Sequence, residues 1–174
     1  YKGRAERGED MADAFDAIGR RIEATAALHQ MLHDSPLDDA VMMDDFLKEI
    51  ASLLQDSAPD NVSISCEASP VAISTSVASS IAVIVSEFVA NSIKHAFVDS
   101  QSGHVAISGK SLADGTLEIT CEDNGDANPE STAAKTSASG LGKRIMKASA
   151  SQIGATLENG PGPKGYRMVL TLPG

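Results

Sequence analysis

The first candidates for chemistry are the polar side chains of one apolar stretch, residues 81–98. Four of them recur at steps of four, three and one: Glu87, Asn91, Lys94 and His95. On a helix these steps keep an acid, an amide, a base and an imidazole close to one face, while apolar residues on the other faces can pack into a core. The simpler alternative is an amphipathic helix with a solvated stripe. The chemical variety of the stripe favours a functional interpretation.

A first glycine-bearing segment, Asp123-Asn-Gly125, stands where a predicted strand ends. A carboxylate there can accept a hydrogen bond from a buried ligand, while the glycine lets the backbone pass close by. Without further context the same three residues are also typical of an ordinary turn.

A second segment, Gly140-Leu141-Gly142, opens a predicted helix after a loop of small and polar residues. Backbone amides at the positive end of a helix suit phosphate; the alternative is a capped helix start. The segment is neither a Walker A loop nor a Rossmann fingerprint, because no strand leads directly into the glycines and the spacing differs.

The order of the predicted elements indicates how these segments are positioned. Ser35 and Pro36 predict a helix start, and alternating runs predict pairs of strands. Antiparallel strands with the helices gathered on one face predict a two-layer α/β (α+β) sandwich. The predicted elements are helix 36–55, strands 62–67 and 71–74 as a short hairpin, helix 76–97, the hairpin 105–112 and 116–122, a mobile loop 125–139, helix 140–153, and the strand pair 155–158 and 166–172.

The N-terminal segment carries a heptad repeat, which predicts a helix over about residues 9–33. One helix cannot bury such a seam alone, so a partner helix is expected; the alternative is a helix lying on the domain's own core. The heptad positions are Met11, Phe15, Ile18, Ile22, Thr25, His29 and Leu32.

Charge and composition limit the function classes. The chain has 24 acidic and 14 basic residues, a formal charge of -10, and aromatic residues make up only 3%, which argues against nucleic-acid binding. Cys66 and Cys121 lie in strand-like runs without metal-ligand spacing, so a reducing, cytoplasmic compartment is expected. No apolar run reaches about 18 residues without a polar interruption, so no membrane contact is expected. The first residue is Tyr1, which favours an excised fragment.

Together these motifs resemble the ATP-binding domain of the GHKL superfamily, which includes gyrase, Hsp90, histidine kinases and MutL. The resemblance covers roughly residues 60–174 and implies the Bergerat fold, with the ATP lid between the two glycine segments. Three patterns carry it, in the superfamily's order: Glu87-x-x-x-Asn91 as the N box, Asp123-x-Gly125 as the first glycine box, and Gly140-x-Gly142 as the second.

Within the superfamily, residues 87–97 most resemble sensor histidine kinases of the HWE-like and related type-two dimerisation class. The HWE subgroup itself has a His before the N-box Glu and a Trp further on; Ser86 stands at the first position and the chain has no Trp, which favours the sister class. The resemblance implies a partial dimerisation/phosphotransfer helix and linker over residues 1–38 and a catalytic ATP-binding domain over residues 39–174. Ala127 stands where the first glycine box usually has a second glycine, which bears on competence more than on fold.

The resemblance also implies roles for the site residues. ATP and Mg²⁺ are the implied cofactors, with Asn91 as the metal-binding residue and Glu87 orienting or deprotonating the attacking group. The remaining implied contacts are Lys94 to phosphate, His95 to phosphate or the lid, Asp123 to the adenine amino group with Gly125 giving it room, and the amides of Gly140, Leu141 and Gly142 to the phosphates.

The implied activity is that of an ATP-dependent protein histidine kinase in a two-component system. Its implied partners are a response regulator and a second copy of the chain, joined through the N-terminal helix. The class's His-Arg-x-Lys-Asn acceptor motif is absent from the sequence, and His29 and His33 are weak alternatives. Two other functions stay open: an anti-sigma-factor serine kinase, and a degenerate, non-catalytic GHKL adaptor or phosphorelay protein.

Overall fold

The computed structural model describes residues 39–97, 102–125 and 140–174, together with positions 12, 15, 18–19, 22–23, 26–27, 29–31 and 33–34. Apart from the helical positions between 12 and 34, the described residues form three helices and two sheets. The elements are β1 (Ala40–Met42), α1 (Met43–Ser57), β2 (Val62–Ala68), β3 (Ala72–Ser74), α2 (Thr75–His95), β4 (Gly103–Ser111), β5 (Leu117–Asp123), α3 (Gly140–Gln152), β6 (Thr156–Pro161) and β7 (Tyr166–Leu172).

The main sheet has five strands in the order β2-β4-β5-β7-β6. Strand β4 pairs antiparallel with β5, β5 with β7, and β6 with β7. Alternate strand positions are buried, as in β4 and β7. Helices α1 and α2 pack against this sheet, and α3 packs against α2. The predicted α/β sandwich is confirmed.

The edge strand corrects one prediction. Residues 62–67 and 71–74 do not form a hairpin: β2 runs parallel to β4, with Val62 opposite Gly103, and β3 pairs with β1 instead. Parallel neighbours need a crossover, and α2 supplies it by returning the chain to the end of the sheet at which β2 began. The sheet is therefore mixed rather than wholly antiparallel.

The start of α1 corrects a second prediction. The helix begins at Met43 rather than near Pro36, because residues 40–42 pair with β3 as a strand. Asp39 precedes that strand with a φ of 52°, in the left-handed region that few side chains favour. Its carbonyl accepts a hydrogen bond from Thr75 Oγ1 at 2.9 Å, in the first turn of α2. The strand thus fixes the chain before α1 onto the beginning of α2.

The core lies between the sheet and the helices, with α2 at its centre. Ser74 caps α2 by accepting a hydrogen bond from Val77 N, and buried α2 residues such as Ile81 and Ile84 pack with Ile119 and Leu170 of the sheet. Helix α2 is long and apolar enough to span a bilayer, but 67% of its most apolar 18-residue stretch is buried inside the protein. Its apolarity is accounted for by its place in the core.

The described positions between 12 and 34 are all helical, which agrees with the helix predicted there. Ala27 and Met31 pack against the core. The apolar seam does not: Phe15, Ile18 and Ile22 are 68%, 55% and 63% exposed, and His29 is also exposed. The other heptad positions, Met11, Thr25 and Leu32, lie outside the described residues.

Candidate functional site

Helix α2 carries the predicted N-box side chains from the interior to the surface. Glu87 is only 4% exposed, Asn91 and His95 are half-buried, and Lys94 is exposed. A solvated stripe does not describe this face, because a carboxylate is costly to bury unless the surrounding groups compensate for the lost water. The buried acid is the feature that needs a structural or chemical reason.

The start of α3 lies directly against these side chains. A Cβ added at Gly142 would stand 2.9 Å from Glu87 Oε2, and 3.8 and 3.9 Å from Asn91 Nδ2 and Oδ1. A larger residue at position 142 would therefore fill the space beside the acid and the amide. The structure brings the second glycine segment and the N box together, with Leu141 exposed next to them.

Asp123 ends β5 and is only 3% exposed. Its Oδ1 accepts hydrogen bonds from Gly125 N at 3.1 Å and from Tyr166 N at 3.0 Å. Its Oδ2 accepts one from Ser92 Oγ at 2.8 Å. These donors satisfy the buried carboxylate and fix its orientation.

Glycine is required on both sides of Asp123. A Cβ at Gly125 would collide with Ala96 Cβ and stand 2.7 Å from Ala96 O, because the chain passes against the end of α2. A Cβ at Gly165 would stand 2.5 Å from Asp123 Oδ1 and collide with Asp123 O. The close approach predicted for Gly125 is thus present, and Gly165 provides a second one.

Tyr166, whose backbone N–H donates to Asp123, forms a ring pair with Phe88 of α2. The rings of Phe88 and Tyr166 stack with centroids 6.4 Å apart and planes 15° from parallel. Burial, and then the negative charge of Asp123, raise the pKa of Tyr166. The phenol therefore stays neutral at physiological pH.

Two adjacent rows of α2 organise the whole site. One row, at positions 87 and 91, meets the start of α3 at Gly142. The other, at positions 88 and 92 and at the C-cap residue Ala96, meets Tyr166, Asp123 and Gly125 in turn. Residues four apart lie on the same face of a helix, so a single helix sets the distance between the acid–amide pair and the buried carboxylate.

The sequence predictions missed three contributors: Ser92, Gly165 and Tyr166. For Ser92 the available signal was its position next to Asn91. Gly165 ends the Gly/Pro-rich loop before β7 and Tyr166 begins that strand, and neither carried a signal of its own. Residues 126–139, including Ala127 and the predicted lid, lie outside the described residues.

The donor set suits a magnesium nucleotide. Among the described residues there is no group of three or more His, Cys, Asp or Glu side chains that could hold a metal ion alone. Mg²⁺ prefers oxygen ligands and is commonly held by one or two side chains together with phosphate oxygens. The side-chain oxygens of Glu87 and Asn91, next to a helix start, fit that shared arrangement.

Comparisons with known proteins show which family this chain is similar to. Residues 76–174 match the family described as "Histidine kinase-, DNA gyrase B-, and HSP90-like ATPase". The chain is 27% identical over 164 residues to blue-light-activated histidine kinase 2 of Erythrobacter litoralis, a match that covers 91% of this chain and 47% of the relative. The chain therefore spans about half of that relative's length.

Solved structures are also similar to this chain, as two examples show. The histidine kinase domain of a blue-light-activated histidine kinase from Erythrobacter litoralis superposes with a TM-score of 0.77 and 26% identity, covering 90% of this chain and 74% of that one. The ATP-binding domain of PrrB from Mycobacterium tuberculosis gives a TM-score of 0.60 and 29% identity, covering 79% and 98%. The dimerisation class of this chain stays a prediction.

Proposed function

The chain belongs to the histidine kinase-, DNA gyrase B- and HSP90-like ATPase family, and on that premise we propose that it is the catalytic part of a bacterial protein histidine kinase. Residues 39–174 form its ATP-binding domain, and residues 1–38 form part of a dimerisation helix and its linker. The protein binds Mg-ATP and transfers the γ-phosphoryl group to a histidine, which then serves a response regulator. Similarity to histidine kinases supports this choice over other functions in the family.

The observation that carries the proposal is that the start of α3 lies beside the acid and the amide: a Cβ added at Gly142 would stand within 3.9 Å of both Glu87 and Asn91. The positive end of a helix attracts anions, so phosphates at the start of α3 lie within reach of both side chains. We assign the amides of residues 140–142 to these phosphates. Lys94, which is exposed, reaches the phosphates from the end of α2, and His95 contacts the phosphates or the lid.

The base end of the nucleotide is assigned to Asp123, whose Oδ2 accepts a hydrogen bond from the adenine amino group. Gly125 leaves room for the base because its backbone is pressed against Ala96. The buried carboxylate accepts hydrogen bonds from the backbone amides of Gly125 and Tyr166, which fix its orientation.

The chemistry then requires positioning more than covalent help. Asn91 would hold Mg²⁺, which would neutralise charge on the phosphates. Glu87 orients the attacking imidazole and accepts its proton as the P–N bond forms and the bond to the ADP oxygen breaks. The buried position of Glu87 keeps this acid fixed where α3 begins.

The acceptor histidine is assigned to a segment outside this chain. His104 is poorly placed for the role, because Ser63 Oγ and Ser65 Oγ lie 2.8 and 3.1 Å from its two ring nitrogens. His29 and His33 are exposed on the N-terminal helix, outside any acceptor motif.

The homodimer is assigned to the exposed seam of that helix. Phe15, Ile18 and Ile22 stand at heptad spacing and are each more than half exposed. Seams of this kind are buried by a second helix, and a second copy of the same chain supplies one.

Thermal unfolding with and without Mg-ATP tests the proposal. At a nucleotide concentration one hundred times Kd, binding to the folded state adds about 2.7 kcal/mol, which raises Tm by several degrees. Asn91→Ala should lose this rise, whereas Asn159→Ala, at an exposed position of β6, should keep it. If the folded parent shows no rise at several millimolar Mg-ATP, nucleotide binding is refuted and the non-catalytic adaptor takes its place.

A further inference from the structure

The hydroxyl of Ser92 is directed at one atom of the site. Ser92 Oγ donates to Asp123 Oδ2 at 2.8 Å, and the two residues are 4% and 3% exposed. The contact joins helix α2 to the end of β5, across 31 positions of sequence. A hydrogen bond to a charged acceptor in a dry site is among the stronger kinds.

The two oxygens of Asp123 are not equivalent. Two backbone amides donate to Oδ1, whereas Ser92 is the only donor to Oδ2 among the described residues. A carboxylate offers about four acceptor positions in all. The position left open on Oδ2 is therefore the one that a ligand's N–H can use.

We propose that Ser92 is a positioning residue for base recognition: its hydroxyl fixes Asp123 Oδ2 so that the remaining lone pair faces the exocyclic amino group of adenine. This inference rests on the proposed function. Ser92 stands next to the N-box residue Asn91, but the proposal gives it a role in recognising the adenine base rather than in binding the phosphates. The row of α2 that carries it, between Phe88 and Ala96, meets the site on the Asp123 side.

A purely structural role makes a different prediction. If Ser92 only ties α2 to β5, its removal weakens every nucleotide alike, because the whole site loosens. If it positions Oδ2, its removal weakens only nucleotides that carry the amino group. The informative quantity is the ratio of two affinities rather than either one.

Calorimetric titration of the full 174-residue chain measures this ratio. The two ligands are Mg-ATP and the magnesium complex of purine riboside triphosphate, which lacks the amino group. The parent should prefer ATP by about tenfold, the value of one hydrogen bond to a charged group. Ser92→Ala should reduce the preference to about twofold, mainly by weakening ATP. Ser80→Ala removes the same hydroxyl from another buried position of α2 and should leave the preference unchanged.

The possible outcomes distinguish a failure of the proposed function from a failure of the inference about Ser92. A parent that binds neither nucleotide overturns the proposed function and this inference with it. A parent that binds both nucleotides equally overturns this inference and the assignment of the adenine amino group to Asp123, while nucleotide binding itself stands. A Ser92→Ala protein that loses affinity for both nucleotides equally overturns the inference alone. Thermal unfolding without nucleotide verifies that each variant is folded.

Discussion

Replacing Gly142 with alanine adds one methyl group where α3 approaches the N-box side chains. That methyl would lie 2.9 Å from Glu87 Oε2, about 0.5 Å inside ordinary contact. Glu87 has little room to retreat, because only 4% of it is exposed. The substitution should therefore displace the carboxylate and narrow the space for phosphate.

The expected magnitudes differ for stability and for binding. Alanine favours a helix over glycine by about 0.8–1 kcal/mol, and an off-rotamer side chain costs about 0.5–1.5 kcal/mol, so the free energy of unfolding should change by less than about 1 kcal/mol. Loss of one hydrogen bond to a charged group costs about 1.5–3 kcal/mol, which is at least about tenfold in affinity. Displacing one phosphate contact should therefore weaken Mg-ATP binding about tenfold.

The assay is calorimetric titration with Mg-ATP, with urea unfolding of the same samples. Gly160→Ala is the matched control, because a Cβ added at Gly160 meets nothing within 4 Å. If Gly142→Ala is folded and binds Mg-ATP as tightly as the parent, the start of α3 is not the phosphate site and the reasoning is refuted.

Three other expectations follow from the same structure. Asp123→Asn should change the free energy of unfolding by less than about 1 kcal/mol, because the amide oxygen can still accept both backbone hydrogen bonds. It should weaken the affinity for Mg-ATP at least about tenfold, because the amide N–H₂ places a donor opposite the adenine amino group. Calorimetric titration and urea unfolding of the same sample measure the two quantities. Changing both Ile18 and Ile22 to Asp should lower the dimer fraction in sedimentation velocity without altering Mg-ATP affinity, and an unchanged dimer would exclude the seam as the interface. Burial raises the pKa of the Cys121 thiol, so the unfolded state releases this proton at a lower pH than the folded state. The free energy of unfolding should therefore fall above about pH 8.5, by at most about 1.4 kcal/mol per pH unit. Urea unfolding measured from pH 7 to 10 should show this decline, and Cys121→Ala should make it less steep.

Local sequence patterns predicted the elements that are determined by residues close together in the chain. Helix α2 followed from its apolar periodicity, and the β4–β5 hairpin followed from the Asp114-Gly115 turn, where Gly115 has a φ of 84°. Strand β1 and the parallel pairing of β2 were not predicted, because each depends on a partner strand far along the chain. Pairing of that kind leaves little trace in a local window.

The same division applies to the site. The N box and the two glycine segments have local signatures, and the structure places Glu87 and Asn91 beside Gly142. The contributions of Ser92 and Tyr166 could not be predicted, because they meet Asp123 across 31 and 43 positions of sequence. Only the packing of α2 on the sheet makes these residues neighbours.

The two rows on α2 restrict where residues can be inserted into or deleted from this chain. A single residue inserted between positions 88 and 91 would turn everything beyond it by about 100°, so that Asn91 and Ser92 would each leave the partner they face. The same insertion in the exposed turn at 113–115 would be absorbed by the loop. Insertions and deletions should therefore be tolerated between the strands and excluded from the last three turns of α2, where the helix sets the distance between the Glu87–Asn91 pair and Asp123.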